Sequence, residues 1–150
     1  MRAMVLEAPK PVEEAPLELR DIPVPEPGPG EVLVEVRCCG VCHTDLHVVT
    51  GELGPHRLPL APGHEVVGTV VRAGEGAGRF AVGQRVGAAW LRSACGACRF
   101  CRSGRENLCE AATFNGYDAD GGYAERMVLP EKFAYAIPER FGDAEAAPLL

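Results

Sequence analysis

The clearest alternation of apolar and polar positions lies in residues 31–39 (EVLVEVRCC), where Val32, Val34, Val36 and Cys38 fall on one face. A period of two over that length predicts a β-strand with one buried side. Residues 65–72 (EVVGTVVR) are β-branched on both faces, which predicts a strand covered on both sides. Residues 1–7 and 17–22 read as two strands about a turn, and 84–91, 123–129 and 133–137 as further strands. Gly74, Gly76 and Gly78 supply the turn before residue 84. A short helix is expected over residues 45–50, stopping at Gly51. Asp143 is expected to cap a helical turn reaching Ala147, with Pro148 suited to the first turn of a further helix. The last residues, Ala-Pro-Leu-Leu, read as a helix start cut inside a longer protein. Seven of the 13 prolines lie in the first thirty residues, which makes that region an extended connector. Residues 92–122 show no periodicity, and so long a loop needs something to pin it.

Composition narrows the class. A chain of 150 residues allows one ordinary domain. Hydrophobic residues at 47% and charged residues at 24% are the usual globular mix, which excludes disorder. Glycine (18) and proline (13) make up about 21% of the chain, against roughly 12% on average, favouring short strands and turns over a helix bundle. The net charge of −6 speaks against nucleic acid or an anionic membrane as partner. The N-terminus is broken by Glu7 too early to be a signal peptide, and no apolar run is long enough to span a bilayer. The expected location is therefore cytoplasmic, where thiols stay reduced. Seven cysteines, an odd number, cannot all pair within the chain, so metal or thiol chemistry is expected instead.

Four of those cysteines, Cys95, Cys98, Cys101 and Cys109, have the spacing C-x2-C-x2-C-x7-C. Thiolates at such intervals in a Gly-containing loop can enclose one tetrahedral zinc. A ferredoxin-type cluster shares the first three positions but calls for a fourth cysteine after three residues, followed by proline. Here the gap is seven and Glu110 follows. A zinc with four protein ligands has no open position and is structural. It would also pin the unpatterned loop.

Residues 39–47 (CGVCHTDLH) support three readings. Cys39-Gly40-Val41-Cys42-His43 fits haem attachment, which goes with export, and also fits a thioredoxin-like dithiol, which needs a βαβ unit. In the third reading Cys42 is a metal ligand whose partners lie elsewhere. Gly63-His64-Glu65, just before the strand at 65–72, supplies such partners. A thiolate, an imidazole and an open position would make a catalytic zinc if a further ligand exists. Cys38 and Cys39 are expected to be core side chains, and His56 a surface loop residue.

Taken together, these residues resemble the zinc-containing medium-chain alcohol dehydrogenases. The matching segments are residues 40–47, then Pro62-Gly63-His64-Glu65 with Gly68, Gly83 and Val86. Trp90-Leu91, the four cysteines and residues 120–125 (DGGYAE) complete the match. The resemblance implies a mainly β fold: a GroES-like irregular β-barrel with short helices and a zinc-stabilised loop over residues 1–150. The family's Rossmann domain is expected to be absent from this chain. Gly74-Glu75-Gly76-Ala77-Gly78 lacks the third glycine of a dinucleotide fingerprint and sits in a turn.

The same resemblance implies roles. Cys42 and His64 would ligate a catalytic zinc, and Glu65 would sit beside it and ligate it in some states. Asp45 would orient His64 from behind. Thr44 would take the alcohol proton, which passes by way of the cofactor ribose to His47. His43 would contact the cofactor pyrophosphate. Trp90 would wall the substrate pocket. The implied cofactors are one structural and one catalytic zinc per full subunit, with NAD or NADP. The implied substrate is a small alcohol or aldehyde, and the full-length protein would be a homo-oligomer. The rival readings are a polyol or formaldehyde dehydrogenase of the same superfamily, or a zinc-stabilised β-barrel module without catalysis.

Overall fold

The computed structural model describes residues 1–54 and 56–150. Its elements are β1 (Arg2–Leu6), β2 (Leu17–Asp21), β3 (Glu31–Gly40), α1 (His43–Thr50), β4 (Glu65–Ala73), β5 (Arg85–Ala88), β6 (Leu91–Ser93), β7 (Thr113–Phe114), β8 (Arg126–Pro130), β9 (Ala134–Ala136) and α2 (Asp143–Ala146). Five strands form one antiparallel sheet in the order β8-β3-β4-β5-β9, and two ribbons, β1-β2 and β6-β7, are attached to it. Isolated bridges from Ala3 to Ala124 and from Leu6 to Leu60 tie the first ribbon to the loops around it. Among the described residues no parallel strand ladder joins these elements, in keeping with the expected mainly β fold without a nucleotide-binding sheet. No helix among the described residues is long and apolar enough to cross a membrane.

The main core lies on one face of the sheet. Val32 and Val34 of β3, Val66 and Val70 of β4, Val86 of β5 and Met127 and Leu129 of β8 are all nearly solvent-free there. A second cluster, Leu6, Val48, Val49, Leu60 and Tyr117, seats α1, with Trp90 and Phe114 packed against it. Gly51, at φ 83, takes the left-handed conformation that ends α1, as the sequence predicts.

Three sequence expectations need correction. The alternating face of β3 holds only as far as Val36. Val36 is opposite Gly68 and Cys38 is opposite Val67, so Arg37 is an extra residue in the ladder. Beyond it Cys39, not Cys38, joins the core face, and Cys38 turns toward Val67 and Ala146. Residues 84–91 are not one strand. The ladder stops at Ala88, and the next carbonyls are served by Asn115: its side-chain amide donates to the Ala89 oxygen (2.8 Å) and its backbone N–H to the Trp90 oxygen (2.9 Å). Asn115 is fully buried, so this pairing is obligatory. Finally, Gly142 rather than Asp143 precedes α2, and its N–H donates to Glu145 Oε2 (2.8 Å).

Residues 92–122 are more ordered than an unpatterned sequence implies. The β6-β7 ribbon closes their base, with the Ser93 and Thr113 hydroxyls 2.6 Å apart. Two single-turn helices, Cys101–Ser103 and Glu106–Leu108, lie beyond it. Arg92 ties this lobe to the large sheet by donating to Glu31 Oε1 (2.7 Å) and the Val128 carbonyl (2.6 Å).

Candidate metal centres

The four cysteines of the lobe converge. Their sulfur atoms all lie within 4.8 Å of one another, and none forms a disulfide. Tight turns aim backbone N–H groups at the sulfurs: Cys98 N–H at Cys95 Sγ (3.4 Å), Cys101 N–H at Cys98 Sγ (3.5 Å) and Cys95 N–H at Cys109 Sγ (3.4 Å). Such donors stabilise thiolates. The N–H groups of Ala97 and Cys98 pull the Cys95 thiol down to about 6, while desolvation pushes Cys101 up to about 12. Four sulfur donors at this spacing match the closed ligand set of a structural zinc.

The second centre is assembled from distant segments. Cys42 immediately precedes α1, and its backbone N–H donates to Asp45 Oδ2 (2.9 Å) across the first turn. Gly63 then sets the approach to β4. Its φ is +97, and a Cβ there would stand 2.6 Å from a Tyr123 ring carbon, so only glycine fits. His64 follows, 4% exposed, and Glu65 begins β4. Cys42, His64 and Glu65 bring one ligand atom each to within 4.8 Å of one another. Thiolate, imidazole and carboxylate are the three donor types that zinc accepts, and the set leaves room for another ligand.

Asp45 organises this centre from below. It is 3% exposed, and its Oδ1 lies 3.1 Å from His64 Nδ1, while its Oδ2 also accepts from the Tyr123 hydroxyl (3.0 Å). Burial works against a charge on Asp45, yet His64, the Cys42 N–H and Tyr123 together hold its pKa below the usual value. Burial would likewise lower the pKa of His64, but the Asp45 hydrogen bond and charge outweigh it and raise it. With Nδ1 committed to Asp45, Nε2 is left for a ligand. The Thr44 backbone N–H and hydroxyl, the latter 3.7 Å from Cys42 Sγ, lower the pKa of the Cys42 thiol.

Of the remaining expected site residues, Thr44 lies against Cys42, while the His43 and His47 rings sit side by side, tilted to each other, one turn apart on the outer face of α1. No hydrogen bond joins Thr44 to His47 among the described residues. Trp90 meets His64 edge-on at 4.9 Å and stacks on Phe114 at 4.8 Å, so it is at once a neighbour of the centre and a packed side chain. An apolar cavity of about 350 Å³ lies behind the centre, lined by Met4, Leu17, Val41, Leu46, Val49 and Tyr123 among others, and Trp90 is not part of its wall. His56 is exposed, as expected, and pairs with Asp118 (2.7 Å).

Sequence reasoning assigned no role to Tyr123 or Glu52. Tyr123 reaches Asp45 from 78 residues away, and no local pattern announces that contact. Glu52 lies just past the glycine that ends α1, where a carboxylate can fold back on His47 (2.6 Å).

The antiparallel β domain thus carries one four-thiol cluster and one thiolate–imidazole–carboxylate cluster, donor sets of the kinds that zinc takes in closed and in open sites. Residues 28–139 match the alcohol dehydrogenase GroES-like domain, and the chain belongs to that family. An alcohol dehydrogenase of Geobacillus stearothermophilus is 45% identical over 152 residues, covering 100% of this chain and 44% of the relative. One of Rhizobium meliloti is 43% identical over 137 residues, covering 90% of this chain and 40% of the relative. Among solved structures, the cobalt- and zinc-bound thermostable alcohol dehydrogenase of Pyrobaculum aerophilum superposes with a TM-score of 0.90 at 38% identity, covering 99% of this chain and 44% of that one. The chain thus spans 40–44% of the length of these relatives.

Proposed function

We propose that these 150 residues are the substrate-side domain of a zinc-dependent alcohol dehydrogenase that moves hydride between a small alcohol and NAD or NADP. The observation that carries the reading is the Cys42–His64–Glu65 centre with Asp45 behind it. A non-catalytic module would need only the four-cysteine cluster to hold its loop. It would have no use for a second, open donor set over a buried carboxylate.

In this reading Cys95, Cys98, Cys101 and Cys109 hold a structural zinc, and Cys42 and His64, with Glu65 beside them, hold a catalytic one. Bound there, zinc supplies Lewis-acid polarisation of an alcohol or carbonyl oxygen. The chain's own residues do the rest. Asp45 keeps His64 in the tautomer that offers Nε2 outward. The Thr44 hydroxyl takes the proton of the alcohol as it gives up its own toward the surface. His47, 38% exposed, delivers that proton to solvent, with Glu52 on its Nδ1 to steady the ring. No hydrogen bond links Thr44 to His47 among the described residues, and a bound cofactor would supply hydroxyl groups between them. His43, exposed at the start of α1, contacts the cofactor phosphates. Trp90, edge-on to His64, limits the size of the alcohol.

The reading also proposes a longer, oligomeric, cytoplasmic subunit whose further residues bind the nicotinamide cofactor. The 150-residue chain alone is then inactive, because alcohol and hydride acceptor are not held together. The test compares the full-length protein with its His64→Ala variant, using ethanol with NAD and with NADP. The expected result is turnover that the variant lacks, with the four-cysteine zinc retained. Undiminished turnover in a folded His64→Ala protein would overturn the assignment.

A further inference from the structure

We infer that His43 and His47 form a paired-imidazole site for a divalent transition-metal ion, separate from both cysteine-containing centres. The two residues stand four apart on the eight-residue helix α1, so their side chains share one face. Their ring centroids are 4.7 Å apart with planes inclined by 53°. An ion bonded at about 2.0–2.1 Å to each of two imidazoles needs nitrogens roughly 3 Å apart. Rings at this separation reach that spacing by small rotations about their own side-chain bonds.

The environment favours an ion there. His43 is exposed, and no hydrogen bond occupies its ring among the described residues. His47 is half-exposed, and Glu52 Oε2 lies 2.6 Å from its Nδ1. A carboxylate on one ring nitrogen fixes the tautomer and the orientation of the ring, which is the support that metal-bound histidines ordinarily have. The His47 atom left for a metal is Nε2. Water completes the coordination, because the helix face is open to solvent. An all-nitrogen pair with water suits nickel, copper or zinc and is a poor match for calcium or magnesium, which take oxygen ligands. An ion held here occupies the two residues assigned above to the cofactor phosphates and to proton delivery. That consequence rests on the dehydrogenase reading. The site itself does not.

The test uses the zinc-loaded chain and nickel chloride, followed by calorimetry and by paramagnetic broadening of backbone amide signals. The wild type should bind one nickel ion with broadening centred on α1 and Glu52. His43→Gln and His47→Gln should each weaken binding at least tenfold, and the double variant, left with no imidazole on α1, should show no binding there. Glu52→Gln should weaken it by roughly 10–100-fold while leaving the stoichiometry unchanged. Both histidines lie at the surface, so loss of fold is not expected. Equal nickel affinity in wild type and both histidine variants would overturn the proposal. So would broadening centred on His64 or the four-cysteine lobe. The readout is binding, so its failure is distinct from failure of the dehydrogenase assignment, which is read by turnover.

Discussion

In the four-cysteine lobe every sulfur comes from the stretch between Cys95 and Cys109, and the backbone turns that place the sulfurs also donate to them. The Cys42–His64–Glu65 centre is built the other way. Its donor groups come from the start of a helix and the start of a strand, and a buried carboxylate and a tyrosine from the loop before β8 hold them in register. The lobe has little core: Cys101 and Cys109 are its buried apolar members, and Leu108 is exposed. The second centre rests on the packed cluster beneath α1. A local cluster with a poor core would depend on a bound metal for its structure. A long-range cluster on a good core takes its geometry from the fold, so a metal bound there would be free to serve chemistry.

The largest expected effect of breaking this contrast is therefore in the lobe. Structural zinc contributes on the order of 10–16 kcal/mol in small peptides. Cys101→Ser, or a strong chelator, should unfold residues 95–110 while the five-stranded sheet persists, a pattern that hydrogen exchange can resolve. Acid should act in the same direction. Zinc needs thiolates, and the Cys101 thiol, pushed up to about 12 by desolvation, must give up its proton on binding. Zinc uptake should release protons, and apparent affinity should fall as pH falls. A lobe equally protected with and without zinc would end the structural assignment.

Trp90 joins the two regions, since it stacks on Phe114 at the base of the lobe and meets His64 edge-on. Trp90→Ala should cost about 3 kcal/mol, the low end for loss of a large aromatic because the ring is only half-buried. For a chain of this size that lowers the melting temperature by roughly 6–12 °C. In the full-length enzyme the ratio of kcat/KM for hexanol over ethanol should rise about tenfold, since each methylene accommodated in an apolar pocket is worth roughly 1–3 kcal/mol. A drop in melting temperature with a constant ratio would leave Trp90 a packing residue alone.

What the sequence made legible follows the same division. The lobe's cluster could be read from spacing, because local spacing is what builds it. The strands β3 and β4 and the stop of α1 at Gly51 were legible because alternation, β-branching and a left-handed glycine are local signals. The extra residue at Arg37 was not, since a bulge depends on the partner strand, and it moved Cys39 rather than Cys38 to the core face. The break at Ala89 was hidden as well. It exists because Asn115, from a later segment, takes over the hydrogen bonds of two carbonyls. At the second centre, Cys42, His64 and Glu65 came to notice from their donor chemistry and their places beside two strands, and the resemblance gave them roles, while the Tyr123 contact had no sequence signal.

Asp45 should show the next effect. Asp45→Asn keeps the shape but removes the charge that holds His64 Nδ1. Loss of such a supporting carboxylate typically costs 10–100-fold in metal affinity. Zinc or cobalt should bind the Cys42–His64 centre that much more weakly, with the four-cysteine site untouched. An equal loss at both sites would mean general destabilisation and not a directed effect.

The smallest effect belongs to Tyr123. Its hydroxyl is one of three donors on the Asp45 carboxylate, alongside His64 and the Cys42 N–H. Tyr123→Phe leaves the other two in place and preserves the ring that packs against Gly63. The loss should be that of one hydrogen bond, about 1 kcal/mol. That is near a fivefold fall in metal affinity at the Cys42–His64 centre, well below the effect of Asp45→Asn. A purely structural tyrosine would move stability alone. A positioning one should also shift the His64 Nδ1 proton resonance in the metal-free chain, because the Asp45 carboxylate would be held less firmly against His64 once the tyrosine donor is gone. The double variant Asp45→Asn/Tyr123→Phe should then bind metal no more weakly than Asp45→Asn, since the tyrosine acts only through the carboxylate. Additive losses in the double variant, or an unchanged His64 resonance in Tyr123→Phe, would show that the hydroxyl serves packing rather than the centre.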